Sequence, residues 1–183
     1  MNFDYDIIAL TETWLNKSMP DTFINANSRF NVYRCDRPTR GGGVCILVDK
    51  CFSSKVIQVH LPNSYDKLEV LCVDILCSNR KSRIILLYRP PSTNYDNNYH
   101  ILLVQCLKKL CNCNHEVIIL GDMNLPDVDW QTGTFPSNSA YTALCEFFFQ
   151  FGFHQVVNIP TRDNNILDLI FVHNPNIISS INT

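Results

Sequence analysis

Apolar residues along this chain fall mostly in short runs or in alternation with polar ones, the period of β-strands. Nine segments follow that pattern: Asp6–Leu10, Phe30–Cys35, Val44–Val48, Lys55–Leu61, Leu68–Ile75, Arg83–Tyr88, Val117–Leu120, Gln155–Val157 and Leu167–Val172. Pro62, Asn63 and Ser64 break the fourth from the fifth, and Ser78-Asn79-Arg80-Lys81 turns the fifth into the sixth. Breaks of that size make hairpins, which predicts a largely antiparallel sheet. Two stretches switch to the helical period. In Tyr99–Cys111 the residues Leu103, Leu107 and Leu110 share one face, while Gln105, Lys108, Lys109 and Asn112 share the other. In Ser139–Phe151 the residues Ala140, Leu144, Phe147, Phe148 and Phe151 form the apolar face, with Asn138 as N-cap and Gly152 as the stop. The aromatic stripe of that helix reads as core packed on a sheet, because most of its members lie on the buried face. Many strands and two amphipathic helices predict two packed sheets with helices outside, an α/β sandwich.

Composition narrows this picture without changing it. The 183 residues show no repeat or linker and read as one domain spanning residues 1–183. Hydrophobic residues make up 46% and charged residues 17%, an ordinary globular balance. No apolar run approaches the roughly 18 residues of a membrane span. The acidic start, Met1 to Asp6, lacks the basic and apolar regions of a signal peptide. The expectation is therefore a soluble, intracellular protein without a membrane association. A formal charge of −2 argues against non-specific coating of nucleic acid, though not against a local basic rim around an acidic site. Arg34, Arg37 and Arg40 form the densest basic stretch and read more readily as a solvated loop than as a DNA-facing one. The nine cysteines contain no C-x-x-C pair, and the spacing of Cys106, Cys111 and Cys113 with His115 fits no zinc motif. Reduced thiols are expected, with Cys45 and Cys72 as small buried hydrophobes.

The candidate chemistry sits where apolar strands end abruptly in polar groups. Asp6–Leu10 runs into Thr11-Glu12, Ile84–Leu87 into Tyr88-Arg89, and Val117–Leu120 into Gly121-Asp122-Met123-Asn124. Strands that deliver such groups to one rim make a rigid site. Its oxygen donors suit Mg²⁺ or Mn²⁺ and not zinc. Singly, each residue has a structural reading: Glu12 as a solvated loop acid, Asp122 as an Asx-turn, Tyr88 as a strand-end aromatic with a wet hydroxyl. A calcium-loop reading of Asp122, Asn124, Asp127 and Asp129 fails, because Pro126 stands where such a loop needs glycine and no terminal glutamate follows.

Taken together, five segments resemble the endonuclease/exonuclease/phosphatase (DNase-like) superfamily, in its non-LTR retrotransposon branch. They are Asp6 to Leu15 (DIIALTETWL), Arg40-Gly41-Gly42-Gly43-Val44, Leu86-Leu87-Tyr88-Arg89-Pro90-Pro91, Leu120-Gly121-Asp122-Met123-Asn124, and Ile159-Pro160-Thr161-Arg162 with Leu167-Asp168-Leu169-Ile170-Phe171. The resemblance implies a four-layer α/β/β/α sandwich and metal-assisted hydrolysis of a phosphodiester in DNA. Glu12 would ligate Mg²⁺ (Mn²⁺ as the alternative), Asp122 would orient or deprotonate water, and Asn124 would hold that water or a phosphate oxygen. Tyr88 would donate a hydrogen bond to the charge developing on the phosphate, and Asp168 would orient a catalytic histidine. A nuclear site of action is implied only in this way, and no protein partner is.

The family pattern also implies an asparagine-bearing strand before Glu12 and a Ser-Asp-His segment after Asp168. Neither is matched within residues 1–183, so the sandwich is expected to be incomplete and activity impaired. Two rivals stay open: an inert remnant of a decayed element, and a phosphodiesterase or phosphatase of the same fold acting on lipid or inositol phosphates.

Overall fold

The computed structural model describes residues 5–58, 68–91, 97–137 and 141–182. Its first sheet has three strands, β1 (Ile7–Thr11), β2 (Phe30–Cys35) and β3 (Val44–Asp49), in the order β1-β3-β2 and antiparallel throughout. The second has six: β4 (Ser53–Val56), β5 (Glu69–Cys77), β6 (Arg80–Tyr88), β7 (Glu116–Asp122), β8 (His154–Gln155) and β9 (Asp168–Val172), in the order β4-β5-β6-β7-β9-β8. Its one parallel pairing, β6 with β7, is bridged by helix α1 (Asn97–Cys111), the long crossover that parallel neighbours require. Helix α2 (Thr142–Gln150) lies between β7 and β8 in sequence.

Alternation along the strands sorts side chains into layers. Val44, Ile46 and Val48 of β3 meet Leu71, Val73 and Ile75 of β5 and Ile84, Leu86 and Tyr88 of β6, closing the two sheets on each other. The opposite face of the six-stranded sheet, with Cys72, Ile85, Leu87, Val117, Ile119, Leu169 and Phe171, packs on Leu103, Leu107 and Leu110 of α1 and Leu144, Phe147 and Phe148 of α2. The outer face of the small sheet carries Phe30, Cys45 and Leu47. Ile24, just beyond a short 3₁₀ turn at Asp21–Phe23, packs there. Among the described residues no α-helix lies on that side, so three of the four sandwich layers are in place.

Local chemistry explains the joints. Ser78 and Asn79 both take positive φ (44° and 68°) between the paired residues Cys77 and Arg80, making a two-residue hairpin of the primed type. Gly152, at φ 69°, ends α2: its N–H donates to the Phe149 carbonyl while that of Phe153 reaches back to Phe148, a Schellman closure. The expected cap Asn138 lies outside the described residues, and α2 begins at Thr142, later than its pattern predicts. Phe151 departs from expectation too. It falls just past the helix, stays 41% exposed, and receives Lys108 over its ring. The fourth strand sits earlier than Lys55–Leu61, at Ser53–Val56, where Ser54 Oγ meets Tyr33 and Asn31 and β5 supplies the ladder. Residues 59–67, with the Pro62-Asn63-Ser64 break, lie outside the described residues. All nine cysteines are free.

Candidate active site

Register builds the site. Glu69 at the start of β5 stands opposite Tyr88 at the end of β6, and Asp122 at the end of β7 stands opposite Asp168 at the start of β9. Between these pairs the Arg89 N–H donates to the Asp122 carbonyl at 2.9 Å, which continues the parallel ladder to the rim. Glu69, Tyr88, Asp122 and Asp168 thus form one row across four adjacent strands, on the face turned towards the small sheet. Glu12, one residue past β1, comes down on that row from the small sheet, where its carboxylate accepts the Tyr88 hydroxyl proton in a short hydrogen bond. Residues distant in sequence meet because the two sheets end at the same mouth.

The row is anionic and largely dry. Tyr88 and Asp122 are both 3% exposed and Glu69 is 5% exposed, whereas Glu12 and Asp168 face solvent. Burial, then the hydrogen bond to Glu12 and the neighbouring carboxylates, pushes the Tyr88 phenol far above its ordinary range, so it remains a hydrogen-bond donor. Burial and the charge of Asp168 raise Asp122. The Asn124 N–H and Arg162 oppose that shift, and Glu12 adds to it. Glu69 is raised by burial against the Gly43 N–H and Arg37. Its Oε1 lies 3.5 Å from Arg37 Nη1, a charge contact without hydrogen-bond geometry, while Oε2 takes the Gly43 N–H.

A tight loop aims Asp122. At Gly121 (φ 139°) any Cβ would collide with the Leu87 carbonyl, so only glycine lets β7 run this close to β6. Asn124, at φ 46°, donates its N–H to Asp122 Oδ1 at 3.1 Å and its amide Nδ2 to the Arg89 carbonyl at 2.9 Å. Arg89 is buried beneath: its Nη1 holds the Asn124 carbonyl at 2.8 Å and its Nε donates to His100 Nε2 at 2.9 Å, with Tyr141 stacked 5.3 Å away. On the other side Arg162 brings Nη2 to 3.4 Å from Asp122 Oδ2, from a side chain 52% exposed. Thr161 Oγ1 accepts the N–H groups of Leu167 and Asp168, fixing the approach to β9.

The sequence-expected residues Glu12, Tyr88, Asp122, Asn124 and Asp168 therefore gather at one end of the sandwich. Asn124 serves the loop as much as the mouth. The described histidines sit elsewhere: His100 under Arg89, His115 beside Asp74, His154 in β8, and His173 against Phe153. None of them stands against Asp168. Glu69 and His100 belong to the assembly without having been singled out in the sequence, whereas Arg89 was noted at a strand end and Thr161 and Arg162 in a matched segment, each without an assigned role. Glu69 left only a faint signal there, as an acid near the start of the apolar run Leu68–Ile75.

Glu12, Asp122 and Asp168 offer hard oxygen donors around a surplus of negative charge. Among the described residues no group of three or more His, Cys, Asp or Glu could hold a metal unaided. This donor set fits Mg²⁺, which binds through one or two carboxylates and completes its shell with water and substrate phosphate.

The fold recurs in solved nucleases. The 3′ phosphatase NExo of Neisseria, solved with a product DNA hairpin, aligns with TM-score 0.64 at 13% identity, over 93% of this chain and 77% of its own. An AP endonuclease from Archaeoglobus fulgidus aligns at 0.62 and 16% identity, over 92% and 76%. The endonuclease domain of TRAS1, a telomere-specific non-LTR retrotransposon, aligns at 0.60 and 14% identity, over 91% and 72%. A comparison with curated proteins finds no match. Two facing sheets with helices outside make the DNase-like α/β fold that these structures share, and the family model places the chain in the endonuclease/exonuclease/phosphatase superfamily. Within it, the model of the endonuclease–reverse transcriptase family matches residues 82–183, from β6 through β9 and beyond, and the chain belongs to that family.

Proposed function

We propose that this chain hydrolyses phosphodiesters in DNA, as the nicking endonuclease domain of a non-LTR retrotransposon. The single observation that carries the proposal is the Glu69–Tyr88–Asp122–Asp168 row with Glu12 bonded onto it from the facing sheet. A structural core has no use for two buried acids, Glu69 and Asp122, beside two exposed ones, Glu12 and Asp168, at one strand end.

Each residue then has a part. Asp122, whose proton affinity is raised by burial and by Asp168, accepts a proton from the attacking water through Oδ2, while the Asn124 N–H pins Oδ1. Tyr88 keeps its phenolic proton and turns it from Glu12 to a phosphoryl oxygen as charge develops there. Arg162, mobile enough at 52% exposure to leave Asp122, meets a phosphate oxygen. Asn124 and Arg89 keep the loop from yielding during the reaction. Bound at Glu12, a divalent cation (Mg²⁺ or Mn²⁺) would supply Lewis-acid neutralisation of the scissile phosphate. Asp168 acts by tuning Asp122.

Plasmid nicking tests the proposal. With Mg²⁺ the chain should convert supercoiled DNA to open circles only slowly, since none of the described histidines stands at Asp168, EDTA should stop it, and Asp122→Asn should lower that rate by at least about a hundredfold. Inositol phosphates and phospholipids assayed in parallel should remain intact. Their hydrolysis in place of DNA would transfer the same chemistry to the lipid-type rival. No Asp122-dependent hydrolysis of either would favour an inert remnant.

A further inference from the structure

Beside the carboxylate row stands a pair that hydrolysis does not require. Trp14 is 54% exposed and holds a left-handed backbone conformation, φ 56°, which a bulky residue rarely adopts. Glu12, two residues earlier, is twisted the same way at φ 52°. The conformation is enforced from outside: the Trp14 N–H donates to the Gly42 carbonyl at 2.9 Å and that of Thr13 to Gly43 at 3.2 Å, while the Gly43 N–H is anchored on Glu69. The glycine turn that caps the buried acid therefore also fixes the indole at the rim. From the same turn Arg40 brings its guanidinium to 5.6 Å over the Trp14 ring. Among the described residues Arg40 has no carboxylate partner, whereas Arg34 is committed to Asp21 and Asp36, and Arg37 to Glu69. A strained backbone that presents a large apolar ring to water gains nothing for the core, and strain of this kind gathers at binding sites. An aromatic face paired with an uncommitted guanidinium matches one ligand chemistry well: a flat base stacked on the ring with an adjacent phosphate on the cation.

We infer that Trp14 and Arg40 form a nucleic-acid subsite beside the Glu12–Tyr88 mouth, where an unstacked base lies on the indole and its neighbouring phosphate pairs with Arg40. The inference rests on the phosphodiesterase reading and sharpens it, since a stacked base selects a nucleic acid over an inositol phosphate or lipid headgroup. The subsite is built before the ligand arrives, as its backbone is already tied to Gly42 and Gly43.

Fluorescence of the 183-residue chain in EDTA provides the test, with the part-buried Trp130 as internal reference. An eight-nucleotide thymidine strand should quench Trp14, and an abasic strand with the same number of phosphates, or inositol hexakisphosphate, should not. By anisotropy of a labelled strand, Trp14→Ala should weaken binding roughly tenfold, the order of one base stack. Arg40→Gln should weaken binding too and flatten its salt dependence. Equal affinity for the base-bearing and abasic strands, or unchanged binding in both variants, would overturn the subsite. Failures separate cleanly. Asp122-dependent nicking with unchanged strand binding in the variants removes the subsite alone, while base-dependent quenching without hydrolysis removes the hydrolase reading and leaves the subsite standing.

Discussion

At the scale of single residues, the account turns on groups whose surroundings differ from water. Tyr88 is the plainest case: its hydroxyl serves no packing role, so Tyr88→Phe should leave the thermal midpoint nearly unchanged while slowing hydrolysis about a hundredfold, the effect of removing one donor from a developing anion. Arg162 makes a contrasting prediction. Arg162→Ala should raise KM more than it lowers kcat and should weaken the dependence of KM on salt, as expected for a cation that holds phosphate. A change confined to kcat would place it in the chemistry instead. The five residues singled out from sequence were legible because each ends an apolar strand or sits in a motif. Arg162 lay in a matched segment without its part being legible, and Glu69 was not legible as a site member because its part depends on register. Nothing in the chain announces that Glu69 will stand opposite Tyr88.

At the scale of elements, strand ends position the chemistry and the opposite ends hold the strands. At the far end of the second sheet Asp74 of β5 is buried and receives Arg83 of β6 at 2.6 and 3.0 Å, with Lys81 at 2.8 Å. Burial alone would raise its pKa. The guanidinium and ammonium outweigh burial and hold the carboxyl at about 2, below the ordinary 3.8. A depressed acid stabilises the fold above its unfolded pKa and loses that contribution as pH falls through the folded one. About 2 kcal/mol of stability should therefore disappear between roughly pH 4 and pH 2, and Asp74→Asn should flatten that limb of an acid-denaturation curve. Gly121 governs the other end. Gly121→Ala should destabilise by at least about 3 kcal/mol, because the clash is with backbone and cannot be relieved by a rotamer change. Normal melting of that variant would mean that β7 does not approach β6 as described. Most strands were readable from apolar runs or alternation, since β3, β5, β6 and β7 place apolar residues on both faces between two packed layers. The serines of β4 were not, as their pairing comes from β5 and not from their own propensity. Phe151 was misassigned because the helical period continued past Gln150, whereas the helix ends there and leaves Phe151, its C-cap residue, 41% exposed.

For the whole molecule, the two sheets are a device for bringing Glu12 to residues more than seventy positions away in sequence. The facing apolar layers of β3, β5 and β6 set the spacing, and the polar ends emerge together at the mouth. The formal charge of −2 does not exclude a DNA substrate, because the four carboxylates of the mouth are flanked by the cations Arg40 and Arg162. Among the described residues no helix is long and apolar enough to cross a membrane. If the carboxylates act as one site, their removals cannot multiply. The decisive measurement is the Mg²⁺-dependent rate of plasmid nicking for the unmodified chain, Glu12→Gln, Asp122→Asn and the double variant. The account predicts that each single change costs at least about a hundredfold and that the double variant is hardly slower than the worse single one. Nicking that persists in Asp122→Asn, or losses that simply multiply, would contradict it.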